Sequence, residues 1–298
     1  MSNPELLEGR DVPLGRHSVV RRTLPNKTRR TVGAWCFLDH FGPEEVTGRP
    51  GMRVPPHPHI GLQTVTWLFD GEIRHRDSLG SDELIRPGQL NIMTSGRGIA
   101  HSEDSPAAKP PLLHGLQLWV ALPEAARWQE PRFEHLEDLP IADVAGVRIT
   151  VAVGSLAAVT SPAAVHSDLV GAELRIDGGT PAEIAIDPAF EHAVVVTDGA
   201  ARVDGVEVTP GSLLHLPEGR AALRLEGSAR LFLIGGVPLD EELVMWWNFV
   251  ARSHEEIVAA REEWEAGSAR FGVVPGGQEP LPAPALPTTR LLPRHRFS

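Results

Sequence analysis

Tyrosine is absent from this 298-residue chain, cysteine occurs once, and aromatic residues make up only 5% of it. A single cysteine, Cys36, excludes an intrachain disulfide, so the fold must rest on its apolar core and suits a reducing compartment. Flanked by Trp35 and Phe37, that thiol reads as a small buried hydrophobe. Without tyrosine, any ligand pocket relies on Phe, Trp and aliphatic walls. Positive charge is also scarce: 28 Lys and Arg against 39 Asp and Glu give a formal net charge of −11. That balance argues against generic binding to nucleic acid, which needs clustered cations on the phosphate backbone. The one basic stretch, RHSVVRRTLPNKTRR, is interleaved with apolar residues and reads as the solvent face of strands. No apolar run reaches membrane-spanning length and no N-terminal stretch has a secretory layout, so no membrane association and a cytoplasmic location are expected.

What is present points to a globular protein of two domains: 42% hydrophobic and 22% charged residues over a length that can fill two cores. The 29 Gly and 27 Pro punctuate short alternating or β-branched runs such as LQTVTWLF, LNIMT, LQLWVAL, VRITVAV, HAVVVT and RLFLIG. Many short strands at this spacing predict an all-β barrel or sandwich. An order of turns then recurs. Asp70-Gly71 closes an apolar strand and Pro87-Gly88 precedes another; in the second half Asp198-Gly199 and Pro210-Gly211 do the same. Read as an Asp-Gly hairpin followed by a Pro-Gly turn, the pattern predicts two copies of one barrel module, dividing near 138–146. Near the end, Ser253 and Glu256 form a capping box, Ile257, Ala260 and Trp264 share a helical face, and Gly267 is the stop. The tail after it is too rich in proline for a core element.

His57 and His59 are separated by one residue, as are His101 and Glu103. Residues i and i+2 of a strand share a face, so each pair presents two metal-type side chains together. The turns between the pairs can return the chain beside its start, giving a site of three imidazoles and one carboxylate. Those donors suit Fe(II), Mn, Ni, Cu or Zn. The repeat supplies an internal control: the same offsets from Gly199 and Gly211 give Ala185, Asp187, Arg224 and Glu226, with no histidine among them. One module is furnished for metal and the other is not. The competing possibility is that His57 and His59 are exposed loop residues and His101 an ordinary strand histidine.

The stretches PHPHIGLQTVTWLFDGEIRHRDSLG, PGQLNIMTSGRGIAHSE, LHGLQLWVALP and FLDHFGP closely resemble the pirin family, a branch of the two-domain cupins. The likeness extends along nearly the whole chain, including WWNFVARSHEEI. It implies two tandem cupin barrels (double-stranded β-helices) with a short C-terminal amphipathic helix. Residues 1–140 would be the metal-binding cupin, and 141–298 a degenerate cupin carrying the helix and the Pro-rich tail. Carried over by position, the family's metal ligands fall on His57, His59, His101 and Glu103, and its metal is typically iron, with Co also possible. The activity implied is that of a quercetin 2,3-dioxygenase, in which O₂ cleaves the central ring of a flavonol and Glu103 is the candidate base. The family also includes proteins thought to act on transcription or central metabolism through protein partners, with the metal altering the surface presented. His75, Arg97 and His114 fall near the motifs, either at the mouth of the site or as structural residues. One departure stands out: Gln63 occupies a position where many cupins have glutamate, removing a carboxylate that could tune the metal or the substrate.

Overall fold

The computed structural model describes residues 3–14 and 18–296, so Arg16 and His17 of the basic stretch lie outside the described residues. The strands of the first half are β1 Glu5–Glu8, β2 Arg10–Leu14, β3 Ser18–Leu24, β4 Trp35–Glu45, β5 Arg53–His59, β6 Leu62–Asp70, β7 Ile73–Asp77, β8 Asp82–Ile85, β9 Leu90–Thr94, β10 Ile99–Asp104, β11 Leu112–Ala121 and β12 Arg132–Leu136. Those of the second are β13 Ile141–Val144, β14 Val147–Leu156, β15 Val159–Thr160, β16 Leu169–Asp177, β17 Ala182–Ala185, β18 Glu191–Val203, β19 Val206–Val208, β20 Ser212–Leu216, β21 Ala222–Gly236, β22 Val244–Trp246 and β23 Phe249–Ala251, followed by helix α1, His254–Glu265. The architecture is all-β, two cupin barrels with one short C-terminal helix. No helix among the described residues is long and apolar enough to cross a membrane.

Two compact units result. One comprises residues 1–12, 21–40 and 136–239; the other comprises 13–20, 41–135 and 240–298. The C-terminal barrel has a core of alternating Val, Leu and Ile from β14, β16, β18, β20 and β21, including Val151, Leu174, Val194, Leu214 and Leu233. Leu174, Val194, Leu214 and Leu233 are completely buried, each removing apolar surface worth about 1.5–3 kcal/mol from water. Within that unit Arg22 of the basic stretch pairs with Asp39 at 2.7 Å and Arg29 with Glu191 at 3.2 Å; Arg29 is buried, so the stretch is not wholly the solvent face that its sequence predicts. In the other unit, β5-β10-β7-β8 form one sheet of the N-terminal barrel, and β12-β9-β6-β11-β4 run through the second.

Two expectations need correction. Asp70-Gly71 is not a hairpin, because β6 and β7 belong to different sheets. Gly71 has φ +94 and a Cβ there would lie 2.6 Å from the Leu112 carbonyl, so glycine turns the corner where a side chain could not. Asp198-Gly199 does the same inside the single long strand β18, beside a register shift, with Gly199 at φ +75. The Asp-Gly pair thus recurs with a positive-φ glycine in both halves, at a change of sheet in the first and at a register shift within one sheet in the second. Second, the family resemblance implies that α1 and the tail belong with the C-terminal barrel at 141–298; in the structure they fall in the unit of the N-terminal barrel. Ile257 and Ala260 pack with Ile60, Ala100, Phe249 and Phe271 in a cluster that only this association can bury.

Helix α1 begins as its sequence predicts. Ser253 Oγ accepts from the Glu256 N–H at 3.2 Å, while the Glu256 carboxylate reaches the N–H of Arg252 rather than that of Ser253. Gly267, at φ +66, ends it. The tail is held down: Leu281 N–H donates to Pro56 O, and Trp264 Nε1 donates to Leu281 O, both at 2.8 Å. Gly61 joins this packing to the barrel. It has φ +68, and a Cβ would meet the Val250 carbonyl at 2.0 Å. Gly61→Ala is therefore expected to displace the β22–β23 hairpin and to destabilise the protein by about 1–3 kcal/mol or more. A shift of the urea unfolding midpoint measures it; an unchanged midpoint would show that the hairpin is not fixed there.

Candidate metal centre

The site is built on alternation along three neighbouring strands. Strand β10 pairs antiparallel with β5, placing His101 opposite His57 and Ile99 opposite His59. On its other edge β10 pairs with β7, placing His101 opposite Asp77 and Glu103 opposite His75. Since residues i and i+2 share a face, the inner face carries His57, His59, His101, Glu103, His75 and Asp77. All six are buried. Between His101 and Glu103 the β5 register slips by one residue, so that Glu103 faces Val54. The slip falls at Pro55-Pro56, which have no N–H to lose from the ladder.

Three imidazoles converge. The centroids of His57 and His101 are 4.4 Å apart, and His59 lies 5.0 Å from each. Two of the rings are fixed in one tautomer by backbone carbonyls. His57 Nδ1 donates to Pro55 O at 2.9 Å, and His59 Nδ1 donates to Asn248 O at 3.0 Å. A carbonyl only accepts, so both protons sit on Nδ1 and both Nε2 atoms present bare lone pairs. Burial holds the His57 ring neutral, pushing its pKa down to about 4, and pushes His59 and His101 well below the ordinary imidazole value. Each is further depressed by neighbouring histidines. Nε2 of His59 and Nε2 of His101 are 3.1 Å apart. Two nitrogens bound to one ion at about 2.0–2.1 Å would have similar spacing. Neutral, buried, inward-facing lone pairs without protons between them fit a cation well.

Glu103 stands slightly apart. The ligand atoms of His57, His59 and His101 lie within 4.8 Å of one another, and so do those of His75, His101 and Glu103. The four residues singled out by spacing thus share one face, and with His75 they make two overlapping triads joined at His101. Burial raises the pKa of Glu103, partly offset by His75 and by the Thr66 hydroxyl, which donates to Oε1 at 3.2 Å. Trp119 closes one wall, its ring edge-on to His59 at 5.2 Å.

Gln63 has a different role from the one expected. It pairs in register with Thr94 and Val120, whereas Thr64 pairs with Met93 and with Trp119 at the site. Its side chain is therefore on the opposite face of β6, donating from Nε2 to Thr94 Oγ1 at 2.9 Å, and its amide does not tune the cluster. Of the three residues near the motifs, only His75 joins the site. Arg97 pairs with exposed Glu130, and His114 sits opposite Asp70 against Phe69. In the C-terminal barrel the equivalent positions carry no ligand set: Arg224 and Glu226 pair with each other near the surface. Among the described residues, both candidate metal groups lie in the N-terminal barrel's unit.

Besides Thr66 and Trp119, three contributors lie outside the residues that spacing selects. The carbonyls of Pro55 and Asn248 are backbone groups with no side-chain signature, although Trp247 at φ +53 marks a strained two-residue turn that aims the Asn248 carbonyl. Asp77 did have a signature. His75-x-Asp77 is a third pair with the i, i+2 spacing of the other two.

Residues 17–120 match the Pirin family model, and residues 171–272 match that of the Pirin C-terminal cupin domain. The chain is 44% identical over 282 residues to a Pseudomonas aeruginosa protein named "Putative quercetin 2,3-dioxygenase", covering 93% of this chain and 89% of that one. It superposes with a TM-score of 0.91 on the crystal structure of quercetin 2,3-dioxygenase from Acinetobacter baumannii, at 41% identity and 96% coverage of both chains. A bacterial pirin from Escherichia coli, solved in complex with nickel(II), shares the fold at a TM-score of 0.63 and 20% identity, covering 80% of this chain and all of that one.

Proposed function

This chain belongs to the pirin family of two-domain cupins, and on that premise we propose that it is a mononuclear metal-dependent dioxygenase acting on a flavonol-like substrate with O₂. One observation carries the proposal: His57, His59 and His101 bring neutral imidazoles together in a buried cluster with two Nε2 lone pairs fixed inward. These three, with Glu103 as the carboxylate, are the proposed ligands. The relatives named for quercetin dioxygenation support the substrate class. Iron(II) is the proposed metal; the same donors also suit Mn, Ni, Cu, Co or Zn. When bound, the metal supplies Lewis-acid polarisation of a substrate oxygen and an open coordination position. The buried lone cysteine and acidic charge suit a cytoplasmic setting.

The chain's own residues do the rest. The Pro55 and Asn248 carbonyls hold the imidazole planes, so the site is pre-organised before substrate arrives. Glu103, raised by burial, is the base proposed to take the proton of the flavonol 3-hydroxyl, with Thr66 donating to the carboxylate. Trp119 offers an apolar wall for a planar ring.

Metal-reconstituted protein mixed with quercetin should bleach the flavonol absorbance while consuming O₂. Absence of turnover with Fe, Mn, Ni, Cu and Co would overturn the enzymatic proposal and leave a metal-responsive protein acting through partners. Glu103→Gln should retain part of the metal but lose about 10²–10⁴-fold in turnover, if the carboxylate serves as base. Equal turnover by the variant would remove it from that role.

A further inference from the structure

Behind the candidate ligands lies a hydrogen-bonded row that the metal assignment does not use. His101 turns Nε2 towards His59, while its Nδ1 is 3.3 Å from Nδ1 of His75. His75 in turn places Nε2 3.1 Å from Asp77 Oδ2. The row is rigid. The His75 ring stacks on Phe133 with centroids 4.2 Å apart and planes 9° from parallel. Asp77 is completely buried, and its Oδ1 accepts from the N–H groups of Leu79 and Ser81.

We propose that His75, held by Asp77, is a positioning residue that fixes the tautomer of His101 and so commits its Nε2 to the metal. The proposal rests on the metal assignment made above. Its logic is a count of protons and lone pairs. An imidazole that gives Nε2 to a metal keeps its proton on Nδ1, which must find an acceptor in a buried site. In this fold that acceptor is His75 Nδ1. His75 can offer a lone pair there only if its own proton is on Nε2, and the Asp77 carboxylate is placed to receive that proton. Donation therefore runs in one direction, from His101 Nδ1 to His75 Nδ1 and from His75 Nε2 to Asp77 Oδ2. Each link satisfies a buried polar atom, and reversing either one would set a lone pair against a carboxylate or a proton against the metal.

The same atoms allow a rival arrangement. His75, His101 and Glu103 form a candidate metal group of their own, so His101 could bridge two ions through its two nitrogens. That arrangement requires His101 to lose both ring protons and His75 Nδ1 to bind metal, so it predicts two ions per chain.

Zinc(II)-loaded full-length protein distinguishes these outcomes, using metal stoichiometry together with long-range ¹H–¹⁵N correlations of the histidine rings. The expected result is one zinc per chain, His101 protonated at Nδ1, and His75 a neutral ring protonated at Nε2. His75→Phe keeps the stacking surface but removes the acceptor, and should weaken zinc affinity about 10–100-fold in a chelator competition. His75→Gln, whose carbonyl can still accept, should recover most of that loss, and Asp77→Asn should change the His75 ring signals. Two zinc ions per chain, a His101 ring without an Nδ1 proton, or wild-type affinity in His75→Phe would overturn the positioning role. The wild-type spectrum decides the tautomer even if a variant fails to fold. A wild-type protein that binds no zinc, iron or nickel would instead overturn the metal assignment itself.

Discussion

His101→Ala is expected to take the purified protein from near-stoichiometric metal to background, a larger loss than substitution at any other ligand position. His101 is the hinge of the site. It belongs to both triads of metal-type side chains, faces His57 across one strand edge and Asp77 across the other, and its two ring nitrogens approach His59 and His75. Removing it leaves the two imidazoles of His57 and His59 and separates them from Glu103, which shares a group of metal-type side chains only with His101 and His75, so that no set of three remains to hold a divalent ion against water and buffer. It also strips the buried His75 Nδ1 of its neighbour, at about 1–3 kcal/mol for a buried polar atom left unsatisfied. The control is His215→Ala in the C-terminal barrel. His215 Nε2 donates to Glu191 at 3.0 Å in a buried cluster that also holds Arg29, so its loss should destabilise that unit while leaving metal content unchanged. Elemental analysis of both variants beside wild type, with unfolding curves for each, separates ligand loss from general destabilisation. Equal metal in wild type and His101→Ala would mean the ion is held elsewhere.

That His101 could be selected at all from a string of residues reflects the simplicity of strand geometry. HPH and HSE state their facing by spacing alone, because alternation in a strand is fixed by the backbone. The third pair, His75 and Asp77, obeyed the same rule, yet nothing in the sequence said that β7 would lie on the far edge of β10. Pairing across strands is set by the corner at Gly71, whose positive φ sends β7 into the other sheet; an Asp-Gly dipeptide reads equally well as a hairpin. The helix was legible down to its cap, but its location was not. Burial of Ile257 and Ala260 is demanded by amphipathicity, whereas the partner surface of Ile60, Ala100 and Phe271 is chosen by three-dimensional fit. Gln63 shows the reverse error: a position significant by family pattern lies on the wrong face of β6 to touch the site.

Acid is expected to act on the metal-free and metal-loaded protein in different ways, and the sign follows from burial. His57 has its pKa lowered from 6.5 to about 4 by desolvation, opposed in part by its bond to Pro55; His192 in the other unit is likewise lowered to about 4 by burial. An unfolded chain takes up a proton on each near 6.5, while the folded one does not until about pH 4. Within that window the unfolded state binds more protons, so stability is full above 6.5 and falls as pH drops towards 4. At 1.36 kcal/mol per unit, roughly 3 kcal/mol is lost for each of these two groups, and His59 and His101 add to it in the same direction. Asp77 and Glu191 act lower down. Burial is the largest influence on each and raises it, but the hydrogen bonds and charges around them, from His75 and Ser81 at Asp77 and from His215, Gly33 and Arg29 at Glu191, together outweigh it, so their contribution is present above the ordinary carboxylate value and is lost only below it. Metal-free protein should therefore show a steep decline in unfolding free energy between pH 6.5 and 4. In loaded protein an ion occupies the lone pairs, and protons must displace it before the imidazoles can charge. Because those imidazoles already resist protonation, metal should be retained to near pH 4 rather than released near 6.5, and acid unfolding should follow release. Urea titrations across this range, with released metal read by a chromophoric chelator, test both halves. A flat metal-free profile would mean the imidazoles are hydrated, and metal release at pH 6.5 would mean that they bind the ion as ordinary exposed histidines.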